Sequence, residues 1–219
     1  MKQLFEAIRA GNSSAVESIL AAEPQLASAT DDSGLPAITV AIYHRHPDIV
    51  SLLENHGATM DLFTASMSGR AKEVRETLAT APESVNEFSA DGWTALHLAA
   101  FFGCRDCVNA LLAAGAKVNE RSKNVIQNMP LHAAAAGRHA EIVRILLEHG
   151  AWVNARQHGG WTALHAAAQN GDTALAELLI AAGADVKARA DNNQNPLDLA
   201  LTKGHQQMVD ILEHYGAFE

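Results

Sequence analysis

Gly92-Trp93-Thr94-Ala95-Leu96-His97-Leu98-Ala99-Ala100 returns as Gly160-Trp161-Thr162-Ala163-Leu164-His165-Ala166-Ala167-Ala168. Shorter echoes are Met129-Pro130-Leu131-His132-Ala133-Ala134-Ala135 and Asn195-Pro196-Leu197-Asp198-Leu199-Ala200. His97, His132 and His165 are spaced 35 and 33 residues apart, and Gly115, Gly150, Gly183 and Gly216 are spaced 35, 33 and 33. Each of these histidines stands 18 residues before its glycine, with a second apolar stretch between them, such as Ile142-Val143-Arg144-Ile145-Leu146-Leu147. A fixed period of this length marks helical units that bury their apolar faces only by stacking on one another. Local chemistry agrees. Thr94, Thr162 and Asn195 can cap a helix N-terminus, Pro196 suits a first turn that needs no amide donor, and Gly115, Gly150 and Gly183 suit the left-handed residue that ends a helix.

The first half is more divergent but has its own regularity at an offset of 58. Leu4-Phe5 matches Leu62-Phe63, Gly11 matches Gly69, Pro24 matches Pro82, Gly34 matches Gly92 and Gly57 matches Gly115, as in a duplicated pair of units. Composition fits thin stacked layers. Hydrophobic residues make up 48% and charged residues 19%, which excludes disorder, yet the apolar excess rests on 42 alanines while only 11 residues are aromatic. A net charge of −9 argues against a whole-chain electrostatic grip on nucleic acid or on anionic lipid. No run reaches the roughly 18 to 20 apolar residues that span a bilayer, and Met1 to Glu6 does not read as a signal segment, so a cytoplasmic protein is expected.

These motifs resemble the ankyrin repeat over the whole chain, most strongly over residues 91–219. The resemblance implies an all-α solenoid of helix-turn-helix repeats with short hairpin fingers. It further implies a single domain, 1–219, with approximate repeats 1–30, 31–61, 62–90, 91–123, 124–156, 157–189 and 190–219. Only 24 residues separate Thr39 from Phe63, so the finger before the third repeat must be nearly absent, and that gap either bends the stack or opens a notch. Lys2, Gln3, Glu6 and Arg9 at one end and Gln206, Gln207, Asp210 and Glu213 at the other suit the solvent-facing sides of terminal repeats.

Candidate chemistry is sparse. The three histidines occupy the same slot of their own repeats, which the resemblance makes a structural hydrogen-bonding position; neither a catalytic residue nor a metal site is expected there. Cys104-x-x-Cys107 lacks the second pair that a zinc site needs, and Cys107 takes the place of Ile142 and Ile49, as a core residue would. No phosphate-binding glycine loop, His-Glu-x-x-His motif or nucleophile elbow occurs, so no cofactor is expected. Arg121, Arg156 and Arg189 fall six residues after their glycines and should form a ladder along the fingers.

In the family's geometry, the residue before the Thr of Gly-x-Thr and the two residues after the Ala-Ala pair face a concave groove. Carried over position by position, this gives a first set with Leu35, Trp93, Asn128 and Trp161, besides Gln194. The second has Tyr43 and His44, Phe101 and Phe102, and Gln169 and Asn170, besides Met67-Ser68, Ala136-Gly137 and Thr202-Lys203; the ten residues named first in the two sets are retained. Large aromatic side chains dominate interface cores, and here they gather on the fourth repeat. These ten residues are the candidate partner-binding set. Trp152 is expected to pack locally, and Arg45 and Arg138 replace the small glycine that usually follows the first helix. The reading is a monomeric, non-enzymatic scaffold or adaptor that binds another protein on its concave face. A second reading is a ligand- or peptide-binding regulatory subunit, or an effector acting in another cell, with its site at the notch near the third repeat.

Overall fold

The computed structural model describes residues 1–217 of the 219-residue chain. Among these, fourteen α-helices follow one another in seven pairs, with no β-strand. The pairs are α1 (Lys2–Arg9) with α2 (Ser13–Ala22), α3 (Ala37–Tyr43) with α4 (Pro47–Asn55), α5 (Leu62–Met67) with α6 (Ala71–Thr80), and α7 (Ala95–Phe102) with α8 (Arg105–Ala113). They continue as α9 (Pro130–Ala136) with α10 (Ala140–Glu148), α11 (Ala163–Asn170) with α12 (Thr173–Ala181), and α13 (Pro196–Lys203) with α14 (Gln206–His214). First helices pack on first helices of the next pair; second helices pack likewise, α2 on α4 and then from α6 onward, with the break between α4 and α6. The connecting fingers are turns, with isolated bridges at Thr30–Pro36 and Phe88–Thr94 instead of full hairpins.

The alanines let the column close up. In α9 every residue from Pro130 to Ala135 is buried, because the helix is covered by α7 on one side and α11 on the other. The second helices bury one stripe each, such as Val108 and Leu111 in α8 or Ile142, Val143 and Leu146 in α10. Thr94 and Asn195 cap their helices as expected, and Gly115, Gly150 and Gly183 end theirs at φ of 90°, 85° and 91°. Arg45 and Arg138 hold the same left-handed backbone, at φ of 59° and 64°, that glycine would adopt without strain.

Two hydrogen-bond ladders fix the register between repeats. Asn86, Asn119 and Asn154 each donate their side-chain amide to the carbonyl of Gly115, Gly150 and Gly183, and accept from the backbone N–H of Lys117, Trp152 and Asp185. Arg121 donates to the Arg156 carbonyl at 2.9 Å, and Arg156 to the Arg189 carbonyl at 2.7 Å. The finger arginines do form a ladder, and it is spent on the chain's own backbone. Fingers pack closely enough that a Cβ on Gly92 would lie 2.9 Å from the Asn124 nitrogen.

The column has one discontinuity. Buried apolar residues divide into a cluster from Leu4 to Leu53 and another from Leu62 to Ala217, and half-buried Met60 packs against both. This is where residues 56–61 run straight from α4 to α5 without a finger. The neighbouring finger tips meet across the gap: a Cβ on Gly34 would lie 3.4 Å from the Cβ of Ala90, and Tyr43 donates its hydroxyl to Asp91 at 2.6 Å, while a concavity of about 190 Å³ remains between Ala27, Pro36, Ile38 and the Ala58 to Asp61 connection. At the joint itself α3 and α5 are linked by a buried hydroxyl pair, Thr39 to Thr64, at 2.9 Å. Removing one member strands the other without a partner. Thr39→Val should therefore cost about 1–3 kcal/mol, and Thr39→Val with Thr64→Val should recover most of that loss, as read from urea unfolding midpoints.

Candidate functional site

Aromatic side chains gather where α3, α7 and α9 present their C-terminal ends and loops to one face. Phe101 meets Phe102 edge-on with ring centroids 5.3 Å apart, and Phe102 in turn lies 6.0 Å from Tyr43. Tyr43 reaches this position because no third finger stands between it and the fourth repeat. Burial, and then its bond to the Asp91 carboxylate, push the Tyr43 hydroxyl well above the usual phenol range, so it stays protonated as the donor. Trp93 stands 5.7 Å from the His97 ring. Together these residues wall a pocket of about 460 Å³ that extends to Ile126, Asn128 and Ala136.

Asn128 is a buried polar residue of this wall, which His97, His132 and Gln157 also line. Its backbone N–H donates to Ser122 Oγ at 3.1 Å, and its carbonyl accepts from Ser122 N–H and His97 Nε2. Its side-chain Oδ1 is buried with no hydrogen-bond partner among the described residues. A buried acceptor left in that state costs about 1–3 kcal/mol relative to a satisfied one.

Of the ten residues expected to face a partner, Tyr43, Trp93, Phe101, Phe102 and Asn128 come together here, although Asn128 is only 6% exposed and offers little surface. Phe101 is 44% exposed, while Phe102 is half-buried beside Tyr43. The other five lie outside the pocket. Leu35 packs on the N-terminal core, Trp161 on the C-terminal core, and His44, Gln169 and Asn170 remain polar surface. Trp152 does not pack locally as expected: it is 62% exposed, because the adjacent register is held by backbone bonds to Asn119 and needs no side-chain cover.

Asp61, the carboxylate at the finger gap, is committed to capping α5 through the Thr64 N–H at 2.7 Å. Cys104 directs its thiol to the Met67 carbonyl at 3.3 Å, and Cys107 is fully buried. A further histidine set went unnoticed in the sequence. His139 bonds the Phe101 carbonyl and His205 the Gln169 carbonyl of the preceding repeat, and Cys104 takes the same place at the start of α8. Among the described residues, no three His, Cys, Asp or Glu side chains converge as metal ligands. None of the fourteen helices is long and apolar enough to cross a membrane.

A family model described as ankyrin repeats in three copies matches residues 4–122, 120–190 and 154–218. The chain belongs to the ankyrin-repeat family. It is 28% identical over 174 residues to a putative E3 ubiquitin-protein ligase, XBAT31, of Arabidopsis thaliana, an alignment covering 69% of this chain and 38% of that protein. It is 35% identical over 102 residues to the tyrosine-protein kinase Shark of Drosophila melanogaster, covering 47% of this chain and 11% of the kinase. It is also 32% identical over 136 residues to the B-cell lymphoma 3 protein homolog of Mus musculus, covering 62% and 25% respectively. The chain thus spans well under half the length of these relatives.

The ankyrin histidines His97 and His165 play one part. Nδ1 of His97 accepts from the Thr94 hydroxyl at 2.7 Å, so its proton sits on Nε2, which donates to the Asn128 carbonyl at 3.1 Å. His165 repeats this with Thr162 and the Gln194 carbonyl, and His132 bonds Met129 N–H and the Ala155 carbonyl. Burial pushes His97 and His132 from 6.5 down to about 4 and lowers His165 too, against the opposing pull of those carbonyls. Because these groups stay neutral when folded and take up protons when unfolded, stability is full above pH 6.5 and falls as pH drops toward 4. Urea titrations at stepped pH should show a loss of roughly 2–3 kcal/mol from each of His97 and His132 by about pH 4.5. His132→Asn should remove one such share of the slope.

Proposed function

We propose that this chain is a non-enzymatic scaffold or adaptor that captures a partner protein on its concave face, centred on Trp93 and Phe101. Ankyrin repeats in general are protein–protein interaction modules, and the family is in general non-enzymatic. The observation that carries the reading is Phe101. Its ring meets Phe102 on one edge yet stays 44% exposed at the rim of the aromatic cluster, and that exposed part is apolar surface a partner would desolvate. The stacked repeats bring a preorganised surface, so little ordering entropy is lost on association. Asn128, Tyr43 and Phe102 support this centre from within, while His44, Gln169 and Asn170 extend the same face as a polar rim.

Affinity purification from the native host tests this. Trp93→Ala with Phe101→Ala should reduce the yield of captured partner at least tenfold while leaving the helical circular dichroism unchanged. Trp152→Ala, on the exposed finger row, should capture like wild type. Equal capture by the double variant, or its loss in Trp152→Ala alone, would place the binding face elsewhere.

A further inference from the structure

The pocket behind the exposed rim has features that a flat protein contact does not require. Its volume, about 460 Å³, lies within the roughly 300–1,000 Å³ range of small-molecule sites. Its wall combines aromatic and aliphatic surface from Tyr43, Trp93, Leu98, Phe102 and Ile126 with two amides, the buried one of Asn128 and the half-buried one of Gln157. Among the described residues, no Asp, Glu, Lys or Arg lines it. The two histidines in the wall, His97 and His132, have both ring nitrogens engaged with the backbone or with Thr94 and are held neutral by burial. The nearest carboxylate on the Tyr43 side, Asp91, is occupied by the hydroxyls of Tyr43 and Ser89.

That leaves Asn128 as the buried group without a partner. Its main chain is pinned at three points, by two bonds with Ser122 and one from His97, so the amide is carried on a fixed backbone. Only the terminal torsion is soft, and turning about it is enough to address a donor inside the pocket. A wall free of charge penalises any ion, which would lose its hydration with nothing to replace it. A neutral aromatic molecule bearing one N–H or O–H group meets both conditions: its ring covers the apolar wall, and its donor satisfies the Asn128 carbonyl.

We propose that this pocket is a binding site for a small, uncharged aromatic molecule that donates one hydrogen bond to Asn128. The site needs no partner protein. Its test uses the chain alone, so it stands or falls separately from capture on the concave face.

Indole serves as the probe, with 1-methylindole lacking the donor, indole-3-carboxylate adding a charge, and N-acetyl-tryptophanamide standing for the side chain of a partner protein. Titration followed by calorimetry and by amide and side-chain NMR shifts should show saturable indole binding, with shifts at the Trp93 side-chain N–H and the Asn128 amide. The methylated and carboxylate forms should bind at least tenfold more weakly. Asn128→Leu should erase the preference for indole over 1-methylindole. Ala136→Leu, at an exposed position on the last turn of α9, should weaken every probe at least tenfold without altering the helical circular dichroism. Non-saturable shifts, equal binding of indole-3-carboxylate, or indifference to Ala136→Leu would overturn the proposal. Tighter binding of N-acetyl-tryptophanamide than of indole would also overturn it, by assigning the pocket to a partner's side chain.

Discussion

A thin helical pair cannot shield its own backbone, and this molecule depends on each repeat handing hydrogen-bond donors to the next. Buried imidazoles at His97, His132 and His165 reach main-chain carbonyls further along the chain, while Asn86, Asn119 and Asn154 do the same beneath the fingers. Outside, Arg121 and Arg156 close the fingers onto one another. These bonds set the spacing, and the alanines between them make the spacing short. The surface is rigid because the register is specified at three depths, and a rigid surface can hold aromatic side chains exposed.

The N-terminal units sit apart from this scheme. The asparagine ladder starts at Asn86 and the arginine ladder at Arg121, and the apolar core itself divides between Leu53 and Leu62. Where the ladders are missing, the structure substitutes single contacts: Thr39 with Thr64 inside, Gly34 against Ala90 at the tips, and Tyr43 to Asp91 across the gap. One deletion in the finger row therefore has two effects. It weakens the joint, and it brings Tyr43 within reach of Phe102.

Much of the architecture was legible because period and local chemistry agreed. Thr94 and Asn195 were readable as caps, the glycines as helix ends, and His97 as a structural group from the family resemblance of its repeat position. The shortened connection before Leu62 was also visible as a residue count. What sequence could not supply was the consequence of that count, since how the neighbouring fingers meet above the gap rests on contacts 48 and 56 residues apart. The site was half legible. Trp93 and Phe101 stood out by type and position, but Asn128 looked like an ordinary groove residue, and its burial depends on Ser122 and His97 of the preceding repeat holding its backbone. Trp152 was misjudged because a tryptophan normally seeks cover, whereas here the adjacent asparagine ladder already holds the chain in place.

The pocket wall is not owned by one block of the core. Tyr43 leaves the end of α3, in the N-terminal cluster's part of the chain, whereas Trp93, Phe102 and Asn128 belong to repeats built around the other cluster. Anything held between them is a strut across the joint, and by linkage its binding free energy opposes separation of the two blocks. Conversely, whatever strains the joint loosens the grip on the occupant. The missing finger has thus let a tyrosine join Thr39, Gly34 and Met60 among the contacts that make the two ends of the column mechanically answerable to each other.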